Sequence, residues 1–169
     1  MIFFDTETTG LITNEALPLA QQPRIIEFGA LKVNDAGETI GVLESRINPG
    51  VPLPAIITKI TGLRDTDLVD APRFEAMVPQ LADFFRGERV MLAHNAWFDL
   101  MMLVFELRRA EAQWRFPFCS EVIDTRERWS GKLADWGRRV KGAEFVQEHR
   151  ALSDAQLLRD CWFAGEGAQ

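Results

Sequence analysis

Two acids that follow a short apolar segment are the first residues that could do chemistry. Asp5 and Glu7 come directly after residues 1–4, which are all apolar, and Gly10 follows shortly afterwards. A short apolar run that ends at a turn residue is typical of a buried strand. Because side chains alternate along a strand, the two carboxylates would lie on one face and repel each other. They could be ordinary polar residues before a loop, or they could hold a cation, and oxygen ligands favour Mg²⁺ or Mn²⁺.

Two later acids could join this pair. Asp99 stands where a predicted strand leads into a helix, among large apolar side chains, where an unpaired carboxylate is costly. Asp154 precedes Leu157 and Leu158 by three and four residues, so it lies on or beside the buried face of the last helix. Each acid could equally be an ordinary first-turn residue that the helix dipole favours. Ser153 or Asp154 is then expected to cap the last helix.

The chain has two histidines, and each lies near one of the later acids. His149 is five residues before Asp154, and an imidazole with a pKa near ~6.5 can take a proton from water. The alternative is a histidine in a surface loop. His94 ends a predicted strand and is expected to orient the loop that follows. Neither histidine has the spacing to cysteine that a zinc site requires.

Composition narrows the class of protein. The 169 residues fit one domain with a substantial core. No apolar run approaches the roughly 18 residues of a membrane span, and no signal peptide is visible. Cys119 and Cys161 are isolated, which predicts buried thiols in a reducing compartment and hence a cytoplasmic protein. The net charge of −6 argues against a large basic surface for duplex DNA but does not exclude a nucleic-acid enzyme.

The hydrophobic pattern predicts an α/β fold, with a mixed sheet that contains a hairpin and helices on both of its faces. Strands are predicted at the start of the chain, where apolar residues 1–4 lead into Asp5 and Glu7 at the strand end, and at 24–33, 38–47 and 89–93, with a short fifth strand within 116–123. Helices are predicted at 54–60, 74–85, 96–109, 125–129, 132–140 and from about 153 to 163. In the helix at 96–109, the expected buried stripe consists of Trp97, Leu100, Met101, Val104 and Phe105. Residues 164–169 are expected to form a frayed tail.

The segments that carry the acids and His149 resemble the motifs of the DEDD, or DnaQ-like, 3′–5′ exonucleases. Residues 5–10 are similar to the first motif, and residues 94–99 to the second, H-N-A-x-F-D. Residues 149–155 are similar to the third, H-x-A-x-x-D-A, in its histidine version, called DEDDh. Residues 60–63 resemble a segment that lines the substrate. The likeness covers 1–163 as one exonuclease domain, and it is closest to the proofreading epsilon subunit of bacterial DNA polymerase III and its phage or free-standing relatives.

This resemblance implies a ribonuclease H-like fold with a five-stranded mixed sheet. It implies two divalent cations, Mg²⁺ or Mn²⁺, held by Asp5, Glu7, Asp99 and Asp154, and a general base at His149. The reaction would release nucleoside 5′-monophosphates from single-stranded or frayed DNA 3′ ends, as in proofreading or repair. The residues expected to hold the end of the strand are Thr8, Gly10, Leu11, Thr61, Asn95 and Phe98.

Two other functions remain open from the sequence. The same acids would serve an exoribonuclease that trims RNA 3′ ends or short oligonucleotides, and contacts to the 2′-hydroxyl would decide between the polymers. A non-catalytic module that binds a polymerase or a nucleic-acid end would have no need of all four acids and the base. The sequence ends soon after the last predicted helix, so no tether to a polymerase is expected within it, although a polymerase partner stays open. No membrane partner is expected, and the oligomeric state is left open.

Overall fold

A five-stranded mixed sheet forms the centre of the computed structural model, which describes residues 1–166. The spatial order is β3-β2-β1-β4-β5, in which β1, β2 and β3 pair antiparallel while β4 pairs parallel with both β1 and β5. The predicted mixed sheet with its hairpin is confirmed. The strands are β1 (Ile2–Thr8), β2 (Ile25–Val33), β3 (Thr39–Arg46), β4 (Val90–Ala93) and β5 (Glu121–Asp124).

Helices fill the connections between the strands. They are α1 (Ala55–Thr61), α2 (Asp65–Leu68), α3 (Phe74–Phe85), α4 (Ala96–Arg109), α5 (Thr125–Arg128), α6 (Leu133–Lys141) and α7 (Ala151–Cys161). The helices α3 and α4 have the predicted bounds, α2 was not predicted, and β5 is a short strand that extends one residue beyond the predicted 116–123. Of the predicted frayed tail, residues 164–166 continue the helical turn after α7, and residues 167–169 lie outside the described residues.

The sheet buries a separate core on each face because successive strand residues point to opposite sides. Phe4 packs with residues of α3 and α4, whereas its neighbour Phe3 packs with residues of α6 and α7. The predicted arrangement of helices on both faces is therefore confirmed. No helix within residues 1–166 is long and apolar enough to cross a bilayer.

The stripe predicted for α4 is wrong at Trp97, which is 51% exposed. The helix instead buries Met102, Leu103 and Leu107 together with the acid Asp99. Asp99 accepts two hydrogen bonds from Thr6 of β1, and these fix how α4 is rotated about its axis. A residue two positions earlier lies about 200° around the helix, so Trp97 faces outward.

Candidate active site

The carboxylates of Asp5 and Glu7 lie at the end of β1, on the face of the sheet that α7 covers. Phe3 packs in the α7 core, and the alternation of the strand carries Asp5 and Glu7 to the same side. Thr6 points to the other face, where it meets α4. The predicted placement of the two acids on one face agrees with the structure.

Asp99 reaches the site from the first turn of α4. Its Oδ1 atom accepts hydrogen bonds from the backbone N–H of Thr6, at 3.0 Å, and from the Thr6 hydroxyl, at 2.6 Å. The turn before the helix is tight, with Asn95 at φ 80°. The Asn95 backbone N–H donates to Asp124 Oδ1 at 2.9 Å, so β5 holds this turn in place. Asp124 also caps α5, because its side chain accepts the backbone N–H of Arg126.

Asp154 and His149 come from α7 and from the loop before it. Asp154 Oδ2 accepts a hydrogen bond from the Gln147 side-chain amide at 2.6 Å. One possible ligand atom each from Glu7, His149 and Asp154 lie within 4.8 Å of one another. These three residues form a compact group of oxygen and imidazole donors.

The pKa values of the four acids are raised, and burial is the first cause in each case. The pKa of Asp5 lies well above its ordinary value because burial is reinforced by the negative charges of Asp99, Asp154 and Glu7. Burial and the charge of Asp154 raise the pKa of Glu7 to about 8. The pKa of Asp99 is raised to about 7 and that of Asp154 to about 6, against the hydrogen bonds from Thr6 and Gln147 respectively. The cluster therefore has too much negative charge to be fully ionised alone.

A divalent cation fits this set of donors. Carboxylate oxygens are the ligands that Mg²⁺ and Mn²⁺ prefer, and a cation would offset the repulsion that raises these pKa values. The positive charge of Arg150 opposes the rise in the pKa of Glu7, but the Arg150 guanidinium forms an ion pair with Glu27. Asp5, Glu7, Asp99 and Asp154 are the residues that could hold such ions.

The ion pair between Glu27 and Arg150 fixes the start of α7. Glu27 is fully buried in β2. The Arg150 Nε atom donates to both of its carboxylate oxygens, at 3.0 and 2.9 Å, and Nη2 donates to Oε1. Oε2 also accepts the backbone N–H of Ala151, the first residue of the helix, at 3.0 Å.

The prediction that Ser153 or Asp154 caps α7 is wrong, because the helix begins at Ala151. The carboxylate of Glu27 accepts the first N–H of the helix, so no local side chain is needed there. Gly29 of β2 allows this close approach: a Cβ atom at this position would lie 2.2 Å from the backbone nitrogen of Leu152.

His94 connects the end of β4 to the segment around α5. Its Nε2 atom lies 3.2 Å from the carbonyl oxygen of Gly131, and its Nδ1 atom lies 3.0 Å from the Thr125 hydroxyl. A carbonyl oxygen only accepts, so Nε2 carries the proton. Burial lowers the pKa of His94, which favours the neutral ring. These contacts hold the segment around α5, and not the loop directly after β4 that the sequence analysis expected His94 to orient.

An open cavity of about 630 Å³ lies beside the acid cluster. Its lining includes Asp5, His149, Leu11 and Asn95. The apolar side chain of Leu11 is 78% exposed. This cavity, called the site cavity below, has room for the end of a polymer.

The lining of the site cavity also includes two cations, Arg126 and Lys132. Both are exposed, and neither forms an ion pair with another described residue. They therefore provide positive charge in the cavity that Asp5 also lines.

The other predicted substrate residues lie outside the cavity wall. The Thr8 hydroxyl donates to the Gly10 carbonyl at 2.8 Å, and open space surrounds the position where Gly10 would bear a Cβ atom. The Thr61 hydroxyl donates to the carbonyl of Ile57 and accepts the Leu63 N–H, so it stabilises the end of α1. Phe98 packs against the core under α4.

Several residues at the site carry only a weak signal in the sequence. Glu27 is an acid inside the apolar run of β2, which is the pattern of a buried charge with a distant partner. Gln147 lies in a polar loop, Arg126 in the short helix α5 and Lys132 directly before α6, and nothing in the sequence distinguishes them from solvent-facing residues. Their roles depend on distances that only the folded chain defines.

Comparison with known proteins agrees with this geometry. The sequence profile of the exonuclease family matches residues 2–159. A bifunctional exonuclease/endonuclease protein of Mycobacterium tuberculosis is 33% identical over 168 residues, which cover 94% of this chain and 25% of that protein. A PolC-type DNA polymerase III of Staphylococcus aureus is 32% identical over 162 residues, which cover 92% of this chain and 10% of the polymerase. The chain thus spans a quarter or less of these two relatives.

Solved structures share the fold. The nuclease domain of 3′hExo, a DEDDh family member bound to rAMP, superposes with a TM-score of 0.79 at 17% identity, over 99% of this chain and 91% of that chain. Exonuclease X, in complex with 5′ overhanging duplex DNA, superposes with a TM-score of 0.62 at 24% identity, over 96% and 91% of the two chains. The fold is therefore ribonuclease H-like. The chain belongs to the exonuclease family, and its four acids and one histidine follow the order of the DEDDh, DnaQ-like motifs.

Proposed function

We propose that this protein is a metal-dependent 3′–5′ exonuclease that removes nucleoside 5′-monophosphates from single-stranded or frayed DNA ends. The observation that carries the proposal is the convergence of Glu7, His149 and Asp154, with Asp5 close enough for the charges of Asp99, Asp154 and Glu7 to raise its pKa. Asp5, Glu7, Asp99 and Asp154 would hold two cations, Mg²⁺ or Mn²⁺.

The residues of the chain have separate roles in the proposed hydrolysis. When bound, divalent cations stabilise the negative charge that develops on the phosphoryl group and lower the pKa of water. His149 accepts one proton of the water that attacks phosphorus. The bond between phosphorus and the 3′-oxygen of the preceding nucleotide breaks, and that oxygen takes a proton from solvent. Leu11 and Asn95, on the cavity wall, hold the terminal nucleotide.

DNA is the proposed polymer because the PolC-type relatives are DNA polymerases that contain a similar segment. RNA is the second candidate, since 3′hExo superposes on this chain in a structure with rAMP, and a related structure concerns recognition of a histone mRNA stem-loop. The geometry of the acids serves both polymers, so direct competition between them must decide.

The cellular setting is part of the proposal. We propose that residues 1–163 act as one exonuclease domain, and the PolC-type relatives support a polymerase as a partner or host. A cytoplasmic location is supported by Cys119 and Cys161, which lie in the two separate cores on opposite faces of the sheet. Thiols kept apart in this way suit a reducing compartment.

The test is digestion of matched single-stranded DNA and RNA oligonucleotides, labelled at the 5′ end, with Mg²⁺, Mn²⁺ or a chelator. The wild type is compared with Asp154→Asn, which keeps the shape of the side chain but removes a ligand charge. Asp83→Asn is the matched control, because Asp83 is exposed and pairs only with Arg86.

Stepwise shortening from the 3′ end, dependent on metal, absent in Asp154→Asn and unchanged in Asp83→Asn, is the expected result. Faster loss of RNA than of DNA would transfer the assignment to an exoribonuclease. Binding of oligonucleotides with no turnover under either metal would overturn the enzyme and favour a binding module.

A further inference from the structure

Glu27 is a buried acid that lies beside the acid cluster, but its carboxylate contacts Arg150 and the Ala151 backbone N–H. It lies directly opposite Glu7 in the antiparallel ladder of β1 and β2, so the two side chains project from the same face of the sheet. A buried carboxylate is costly unless it is paired and hydrogen-bonded. The contacts of Glu27 with Arg150 and with the Ala151 N–H satisfy it without a cation.

The geometry of this pair is that of a rigid connection. The planar guanidinium of Arg150 meets both oxygens of Glu27 through Nε, and Nη2 adds a further contact. Such bidentate contacts fix the orientation of the two side chains as well as the distance between them. The same carboxylate holds the Ala151 N–H, so the side chain and the backbone after residue 149 are fixed to β2 together.

His149 stands directly before this anchor in an unfavourable backbone conformation. Its φ is 54°, in the left-handed region that residues with a side chain rarely adopt. Such a conformation persists only where the surroundings hold it. His149 is itself exposed, so its own packing contributes little, and Arg150 provides the adjacent fixed point.

We propose that the Glu27–Arg150 pair is a positioning device for hydrolysis, which holds His149 in its left-handed conformation beside Glu7 and Asp154. This inference rests on the proposed exonuclease function. Glu27 and Arg150 touch no reacting atom and act through His149.

The test uses the charge-neutral double variant Glu27→Gln/Arg150→Gln, which removes the connection but leaves the net charge near the acids unchanged. Its kcat and KM on single-stranded DNA are compared with those of the wild type, and the same change is made in a His149→Ala background. If the pair acts through His149, its loss matters only while the imidazole is present.

The expected loss of kcat is about tenfold to a hundredfold, a fraction of the roughly 10²–10⁴-fold typical of a general base. KM is expected to stay within about twofold, and the His149→Ala background should lose less than about twofold more. An equal loss of kcat in both backgrounds would mean a general structural role, and no loss in the wild-type background would also overturn the proposal.

A second readout does not depend on activity. The protein has two histidines, so their ring resonances can be assigned by NMR. In Glu27→Gln/Arg150→Gln the His149 resonances are expected to shift and broaden, while those of His94 keep their positions. Unchanged His149 resonances would overturn the positioning role even if the wild type hydrolysed nothing, and an inactive wild type would by itself overturn only the proposed function.

Two further variants show whether a loss of kcat comes from misfolding. Lys32→Gln/Glu88→Gln removes another charge pair of β2, 3.3 Å apart, and is expected to leave kcat and the His149 resonances unchanged. Arg150→Lys keeps the positive charge but cannot form the bidentate hydrogen bonds of the guanidinium. If the double glutamine variant does not fold, Arg150→Lys carries the same comparison in both backgrounds, with an expected loss of kcat of a few-fold to about tenfold.

Discussion

The acids of the site prefer different protonation states with and without cations. Folding raises the pKa of Glu7 from 4.5 to about 8, and the pKa values of Asp5, Asp99 and Asp154 move in the same direction. Between the unfolded and folded values, the folded protein therefore binds more protons than the unfolded chain. Its free energy of unfolding must then fall as the pH rises through this range.

Thermal unfolding in a chelator should consequently give a lower Tm at about pH 8.5 than at about pH 5.5. Saturating Mn²⁺ should reduce or reverse the difference, because cations bind the deprotonated acids. Glu7→Gln should flatten the pH dependence in the chelator, since it removes one of the raised groups. A Tm that rises with pH in the chelator would contradict the assigned direction of these shifts.

His149→Ala is expected to lower kcat by roughly 10²–10⁴-fold, because the attacking water loses its proton acceptor. Steady-state digestion of single-stranded DNA measures the loss, and calorimetric titration with Mn²⁺ serves as its control. Mn²⁺ affinity within about threefold of wild type would assign the loss to proton transfer. An unchanged kcat would remove His149 from the reaction.

At the scale of elements, the placement of α7 depends on the missing side chain at Gly29. In Gly29→Ala the new Cβ would lie 2.2 Å from the backbone nitrogen of Leu152, so the helix must move away from β2. The expected cost is about 1–3 kcal/mol of stability, and kcat should fall because His149 and Asp154 move with the helix. Chemical denaturation and the digestion assay measure the two effects.

The matched control is Gly41→Ala, a strand glycine whose added Cβ would lie 3.4 Å from its nearest neighbours. This variant should keep kcat and change stability by less than about 1 kcal/mol. Equal stability and activity of the two variants would mean that α7 does not require the close approach at Gly29.

The elements that local pattern defines could be predicted from the sequence. The bounds of α3 and α4 follow from helical periodicity, and the first motif follows from an apolar strand with two acids. The start of α7 could not be predicted in this way, because its first N–H is bound by Glu27, 124 residues away along the chain. The exposure of Trp97 depends likewise on the contact of Asp99 with Thr6, 93 residues away.

At the scale of the whole molecule, a net charge of −6 must be reconciled with the binding of a polyanion. Arg126 and Lys132 place positive charge on the cavity wall. In an Asp154→Asn background, Arg126→Ala/Lys132→Ala should weaken binding of single-stranded DNA. The slope of log K against log salt should decrease by about 0.7 for each phosphate that the wall no longer neutralises.

Fluorescence anisotropy over a series of salt concentrations measures this slope. Arg86→Ala/Arg115→Ala is the control with the same change in charge, since these exposed residues follow α3 and α4 and do not line the site cavity. An equal change of slope in both variants would show that total charge matters, and not the cations of the wall.

The order of the site residues along the chain has a consequence for synthesis on the ribosome. Asp5 and Glu7 are made first, Asp99 follows in the middle, and His149 and Asp154 come last. Because α7 packs on β1 and β2, the site is complete only after this last helix has been synthesised and has packed on the strands made first. Under the proposed function, a nascent chain is therefore inert as a nuclease until residue 154 has emerged and α7 has packed on the sheet.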